Sequence, residues 1–534
     1  MRDRAASHYW VMETPTAMAR ICTSSTSRTA LALAALAALA AWTTTSSAPT
    51  LLIGGANDQV QPKTHPIASG GFVMSCFDNA TGGYDVRVNR FDDRGAPMWG
   101  ASGVLVADRS VSSTTDYGSA AAPDGGIVVA YQATTGAQMA VSRVSGSGVL
   151  LWTTTLTATT DFVANAKVAF DSNGELFVGW LQGTSTRVQK VGLADGATAW
   201  ATPITLSETG AQQQMSDMRA AIDGAGVVVS TVRQTTFTGP KPLRAWRVGA
   251  DGSIAWGPKV VFSTGSLQTG NYPTFASVPG IGYVFGFYTN SPLQSWVQVI
   301  DASGNPLPAF GTNGLAVTST TTGYNRTNPA IAVDPSGTVY VNWYQQVPNT
   351  SIFGCSAQAF SVPSGQRLWG DSGLALSPDA TTYSITQTSA AFRPGFGVAF
   401  GWVNSAAFGS DTLWARAVNA AGADLWPAGA VTVSGTSSKA RAQAVSACNG
   451  LVWIWENGGT GSADLVGARV GTDGVLGDPT SSNPADLNGD GAVNGVDLTA
   501  LLAAWGSSGG SADLNGDGTV NGIDLTALLA AWTG

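Results

Sequence analysis

At 534 residues the chain is long enough for a large core and for more than one domain. Only 11% of the residues are charged and glycine occurs 66 times, a balance that suits a β-rich extracellular protein better than a helical cytosolic one. The net charge of −8, with no basic stripe to meet phosphates, argues against nucleic acid as a partner.

The first element is a leader. Arg20 and Arg28 precede a 13-residue apolar run, Ala30–Trp42, too short to span a bilayer comfortably. With the small residues Ser46-Ser-Ala48 after it, the segment reads as a secretory signal peptide over residues 1–48, cut after Ala48. Met18 is an alternative start, and an uncleaved membrane anchor is the competing reading. The mature chain is then secreted, extracellular or held at the cell surface, with no later segment able to span a membrane.

Residues 49–477 form a repeat. Gly95–Trp99, Gly148–Trp152, Gly196–Trp200, Gly252–Trp256, Gly365–Trp369 and Gly422–Trp426 share a Gly-x-x-x-Trp turn, and Gly304 and Gly474 occupy the same place without the tryptophan. These glycines recur every 48–61 residues, a period of propellers and other arrays. Each unit also carries a β-branched run, at 72–76, 127–131, 176–180, 227–231, 283–287, 338–343, 398–402 and 451–455. The eighth unit stops at Gly474 without its last strand, while the chain begins with an orphan, Leu51-Leu-Ile-Gly54. Letting the orphan complete the eighth unit closes a ring and removes exposed sheet edges. The expected fold is therefore all-β, an eight-bladed β-propeller closed by an N-terminal strand. Seven blades, with one unit degenerate, and an open β-solenoid are the alternatives. Cys22 leaves with the leader. Cys76 and Cys448 are the one pair this closure brings together, and buried free thiols are the plainer reading for them and for Cys355.

The Gly-x-x-x-Trp turns resemble the tryptophan-docking turns of quinoprotein-like propellers, in which the indole packs between neighbouring blades. That resemblance does not carry quinone chemistry with it, since the chain has no vicinal cysteine pair.

Catalytic residues are scarce. His65 is the one histidine after the leader, and no HExxH, CxxC, GxSxG or phosphate-cradling glycine loop occurs. Glycosidases need only two carboxyl groups, and here Glu175, Glu208 and Glu456 are the glutamates of the mature chain. Asp124, Asp223, Asp251 and Asp473 precede turn glycines, where capping the turn is reason enough for them. Tyr131-Gln132, Trp343-Tyr344-Gln345 and Trp455-Glu456 end β-branched runs; they read as sugar-stacking pairs or as packing between blades.

After a linker, 478–485, the segment 486–534 repeats itself. Asp486-Leu-Asn-Gly-Asp-Gly-Ala-Val-Asn-Gly-Val-Asp497 returns 27 residues later as Asp513-Leu-Asn-Gly-Asp-Gly-Thr-Val-Asn-Gly-Ile-Asp524, and 18 of 21 positions are identical over the longer repeat. Each loop sets oxygens at positions 1, 3, 5, 7, 9 and 12 with glycine at 6, the arrangement a calcium loop needs for its sharp turn and its 6–8 hard ligands. The expected ligands are Asp486, Asn488, Asp490, the Ala492 carbonyl, Asn494 and Asp497, then Asp513, Asn515, Asp517, the Thr519 carbonyl, Asn521 and Asp524, for two calcium ions. Leu498, Leu501, Leu502 and Trp505 come next at i, i+3, i+4 and i+7, with Leu525, Leu528, Leu529 and Trp532 as their counterparts, so one apolar helix face is expected after each loop.

This tandem of half-EF-hands resembles a type I dockerin, a small α module. The resemblance implies binding to a cohesin-like protein through Gly495, Val496, Leu502 and Ala503, or through Gly522, Ile523, Leu529 and Ala530. Cellulosomal dockerins usually carry hydroxyl and basic residues there, and this chain has apolar ones. Three functions remain open. The leading one is a non-catalytic propeller that displays a binding face for polysaccharide or protein and is tethered by its calcium-loaded dockerin to a partner or surface assembly. The others are a docked polysaccharide-degrading hydrolase or lyase and a structural cell-surface protein.

Overall fold

Runs of β-branched and aromatic residues form the strands Phe72–Asp78, Ile127–Gln132, Leu176–Gln182, Gly226–Gln234, Gly282–Asn290, Val339–Gln346, Gly397–Ser405 and Gly450–Asn457. They are buried along most of their length, because sheets stacked face to face cover both of their sides. Each is the second strand of a four-stranded antiparallel sheet, and eight such sheets make the propeller. The computed structural model describes residues 42–534 except 69, 110–113, 134–135, 159, 237–238, 264–273, 321, 408, 479–484, 488–492, 509–511, 516 and 533–534.

Seven blades take their strands in sequence order, and the eighth closes the ring. Its sheet orders Thr50–Ile53 beside Asp464–Val470, Gly450–Asn457 and Lys439–Ala447. The N-terminal strand pairs antiparallel, with Thr50 opposite Gly467 and Leu51 opposite Val466. Leu52 and Ile53 enter a core shared with Phe72, Met74 and Cys76 of blade 1 and with Cys448, Val452 and Leu465 of blade 8. Cys76, Cys355 and Cys448 are buried free thiols, pushed up in pKa first by burial.

The tryptophan turns lock neighbouring blades together. Trp99 Nε1 donates to the Gly146 carbonyl at 3.1 Å, Trp256 Nε1 to Ala302 at 3.1 Å and Trp369 Nε1 to Ala420 at 3.0 Å. Each acceptor lies two residues before the next blade's turn glycine. Gly148 shows why that residue must be glycine. Its φ is +82°, and a Cβ there would sit 2.7 Å from Trp99 Cγ. Gly148→Ala is therefore expected to destabilise the propeller by about 1–3 kcal/mol, combining left-handed strain with a clash; thermal melting checks this. In blade 5, where Pro308 replaces the tryptophan, a short 3₁₀ turn, Pro308–Phe310, buries Phe310 instead. In blade 8 the indole comes from elsewhere. Trp42, within the segment read as leader, is 1% exposed, and its Nε1 donates to Asp93 at 2.9 Å, two residues before Gly95.

At the C-terminus two helices form, α1 (Gly495–Ala503) and α2 (Gly522–Ala530). Their shared core is small, with Ala485, Val493 and Leu501 repeated as Ala512, Val520 and Leu528. No helix among the described residues is long and apolar enough to cross a membrane.

Candidate functional site

In the tandem repeat, the loop asparagine at position 9 and the aspartate at position 12 together cap each helix. Asn521 Oδ1 accepts the Ile523 N–H at 2.8 Å while Asp524 Oδ2 accepts the Asn521 N–H at 2.8 Å. Asn494, Val496 and Asp497 repeat this with the same distances. In the second loop Asp524 Oδ1 also accepts from Asn515 N at 3.1 Å, Asp513 Oδ2 from Gly518 N at 2.9 Å and Asp517 Oδ1 from Thr519 N at 2.9 Å. Asn521 Nδ2 meanwhile donates to the Thr519 carbonyl at 2.9 Å. The backbone N–H of Asn521, with further backbone donors, holds the Asp524 carboxyl below the usual range.

The second loop thus gathers Asp513, Asn515, Asp517, Thr519, Asn521 and Asp524 into one hydrogen-bonded turn. Of the first set, Asp486, Asn494 and Asp497 are described, whereas Asn488, Asp490 and Ala492 lie outside the described residues. Among the described residues no three His, Cys, Asp or Glu side chains stand together as a metal site. Amide and carbonyl oxygens would have to complete each set. The donors, all oxygen and with Asp497 and Asp524 fully buried, fit a hard cation such as calcium.

The helices correct the expected apolar stripe. Leu501 and Leu528 are fully buried, but Leu502, Trp505, Leu529 and Trp532 are 41–52% exposed. Gly495, Val496 and Ala503, with Gly522, Ile523 and Ala530, are exposed as well. Two apolar surfaces, one per repeat, therefore face solvent.

A second site lies in the propeller. The first strands of successive blades touch one another around the ring, the last against the first, and line a central channel. Four of them carry a one-residue bulge with a left-handed residue at the same place: Gln61, Asn165, Asn328 and Arg441, at φ of +50° to +55°. The bulge re-aims the side chains beyond it. Lys63 and Lys167 occupy the same position two residues after it, and both face a cavity of about 570 Å³.

Asp116 sits between the two lysines, with Lys63 Nζ at 2.7 Å and Lys167 Nζ on its other oxygen. Burial alone would raise the Asp116 pKa, but Lys167 and Lys63 outweigh it and hold the carboxyl at about 2. Its folded value is thus below its unfolded one. The stabilisation it contributes is complete above the unfolded pKa and is lost only as pH falls through about 2. Asp217 pairs with Arg219 at 2.7 Å, and Arg219 Nε donates to the Phe275 carbonyl at 3.0 Å. Elsewhere in the ring buried Glu456 accepts from Arg441 Nη1 at 2.7 and 2.8 Å and from Gln61 N at 2.6 Å.

His65 borders the same cavity, and its Nε2 lies 2.8 Å from Ser119 Oγ, which in turn meets Ser75 Oγ at 2.8 Å. Burial first, then Lys63 and Arg219, push the imidazole down to about 3, so it stays neutral and a poor base. Tyr131, Trp343 and Trp455 are buried inside the blades and form no open stacking platform. Glu175 pairs with Lys190, and Glu208 lies 3.4 Å from both Arg233 and Arg244. Asp124, Asp251 and Asp473 accept the N–H two residues on, capping their turns, and Asp223 pairs with Arg247.

Sequence reasoning missed Lys63, Asp116, Lys167 and Asp217. Their signal was a charge recurring every 50–53 residues, at the blade period, in a charge-poor chain.

Residues 484–531 match the Dockerin type I domain family. No curated protein matches the chain. Among solved structures it is similar to the Dos1 propeller, at 12% identity and a TM-score of 0.46, covering 77% of this chain and 92% of that one. It is also similar to a putative 6-phosphogluconolactonase from Bacteroides uniformis, at 13% identity and 0.37, covering 71% and 98%. Prolyl oligopeptidase B from Galerina marginata is similar at 11% and 0.44, covering 76% of this chain and 56% of that chain.

Proposed function

We propose that this is an exported binding protein whose dockerin, loaded with two calcium ions, tethers it to a cohesin-like partner while the propeller channel holds a carboxylate-bearing saccharide. The observation that carries the channel reading is the pairing of its acids. Asp116, Asp217 and Glu456 each face a basic group. Two-carboxylate hydrolysis needs one carboxyl kept protonated near neutral pH, and Asp116 is held the opposite way. Around the cavity Lys63, Lys167 and Arg219 stand against two carboxylates; burial and the neighbouring Lys167 push the Lys63 pKa down, so a ligand carboxylate placed here would favour its charged form. The volume of the cavity is in the range of small-ligand sites. The bulges support a functional channel too, since at Gln61 and Arg441 the left-handed conformation costs about 1–3 kcal/mol, and such strain collects at ligand sites.

Titration calorimetry with uronate-containing and neutral oligosaccharides tests this. The uronate ligand is expected to bind more tightly, and Lys63→Gln with Lys167→Gln to weaken it by about 10- to 100-fold. Equal affinity for neutral sugars would remove the charge argument; no binding of either would remove the saccharide reading.

For the dockerin, the near-identical repeats and their two exposed apolar surfaces support capture of the partner through either copy. A partner recovered by calcium-dependent pull-down should still bind after Asp513→Ala with Asp517→Ala, and after Asp486→Ala with Asp490→Ala. Only the combination should abolish binding. If one pair alone abolishes it while the fold survives, the module is asymmetric.

A further inference from the structure

We infer that Trp42 is the docking tryptophan of the eighth blade and that export leaves it on the mature chain, with the leader cut after Ala40. This rests on the reading that the chain is exported. The eighth turn, at Gly474, has Asp478 four residues on, where other blades carry tryptophan. Trp42 stands at this spot, its backbone N–H donating to Asp478 Oδ1 at 3.1 Å. Its indole reaches the first blade as Trp99, Trp256 and Trp369 reach theirs, by a hydrogen bond to the residue two before the turn glycine. A Cβ on Gly95 would lie 3.0 Å from that indole, and Gly95 has a φ of +77°.

The residues after Trp42 are fastened too. Thr43 N donates to Thr50 Oγ1 at 2.9 Å, and Gly435 N donates to the Ser46 carbonyl at 2.6 Å. A cut after Ala48 would discard all of these contacts together with the indole. The sequence provides another site. Ala38-Leu-Ala40, at the end of the apolar run, has the small-x-small pattern that leader removal requires, and cutting there leaves Ala41-Trp42 at the mature N-terminus.

The test is the intact mass and N-terminal sequence of the full-length product recovered from the culture medium. A start at Ala41 is expected. A start at Pro49 overturns the inference. A chain that keeps its leader and stays in the membrane fraction overturns it as well, and by its location also marks failure of the export reading. A second measurement is independent of processing. In the protein starting at Ala41, Trp42→Ala should lower Tm by roughly 3–5 °C, as Trp99→Ala should, with a smaller loss for Trp42→Phe. Unchanged melting of Trp42→Ala, with Trp99→Ala lowered, would show that the eighth blade does not need the indole.

Discussion

Deleting residues 49–55 will leave a propeller that aggregates or melts far below the intact protein. The deletion removes Leu52 and Ile53, which are 3% and 1% exposed in the core between the first and last blades. Burying two such side chains stabilises by about 3–6 kcal/mol in all, against about 5–15 kcal/mol for a whole domain. It also strips the partner from Asp464–Val470, leaving a row of unpaired N–H and C=O groups on an exposed edge. Differential scanning calorimetry and size-exclusion chromatography measure both consequences. A truncated chain that melts with the full one and elutes as a monomer would show that the ring does not depend on this strand.

Removing calcium should unfold the C-terminal module and spare the propeller. From Val470 onward the chain has eight aspartates and no lysine or arginine. Two of those aspartates, Asp497 and Asp524, are fully buried. The core that must offset this is built mainly from Ala485, Val493, Leu501 and their counterparts, little for a module of this size. An ion at 1,000 times its Kd adds about 4 kcal/mol, enough to decide whether so small a module folds. Limited proteolysis of the full chain with and without chelator, read by mass spectrometry, should lose the C-terminal segment only when calcium is removed. Equal resistance in both conditions, with no calorimetric binding, would sink the reading.

The parts of the fold legible in the sequence were those with one dominant physical cause. The β-branched runs stand out because their strands are covered on both sides, which makes them nearly continuous apolar stretches. The Gly-x-x-x-Trp turns stand out because a left-handed residue and an indole must meet. The first strand of each blade was harder to see. Ser384–Arg393 and Asn325–Val333 mix polar and apolar residues around a bulge, so their alternation breaks midway. Lys63, Lys167 and Asp217 hang on such first strands and Asp116 lies just before one, so they were hidden with them. The helix stripe misled for another reason. Periodicity says which residues share a face, but α1 ends at Ala503, so Trp505 lies beyond it and Leu502, in its last turn, stays half exposed. Trp42 was obscured because an indole at the end of an apolar run looks like part of that run.

The seam in the eighth blade also bears on force. The chain continues toward the dockerin past Asp478, with Gly477 N donating to the Arg469 carbonyl beside it, so a pull applied to the C-terminal module would enter the ring at its closure. There the strand Asp464–Val470 lies between Thr50–Ile53 on one side and Gly450–Asn457 on the other. Its hydrogen bonds run across the strand direction. A pull along the strand loads these bonds in shear, all at once, where a pull across it would peel them singly. Pulled from its C-terminal module, the ring would resist opening best along this line.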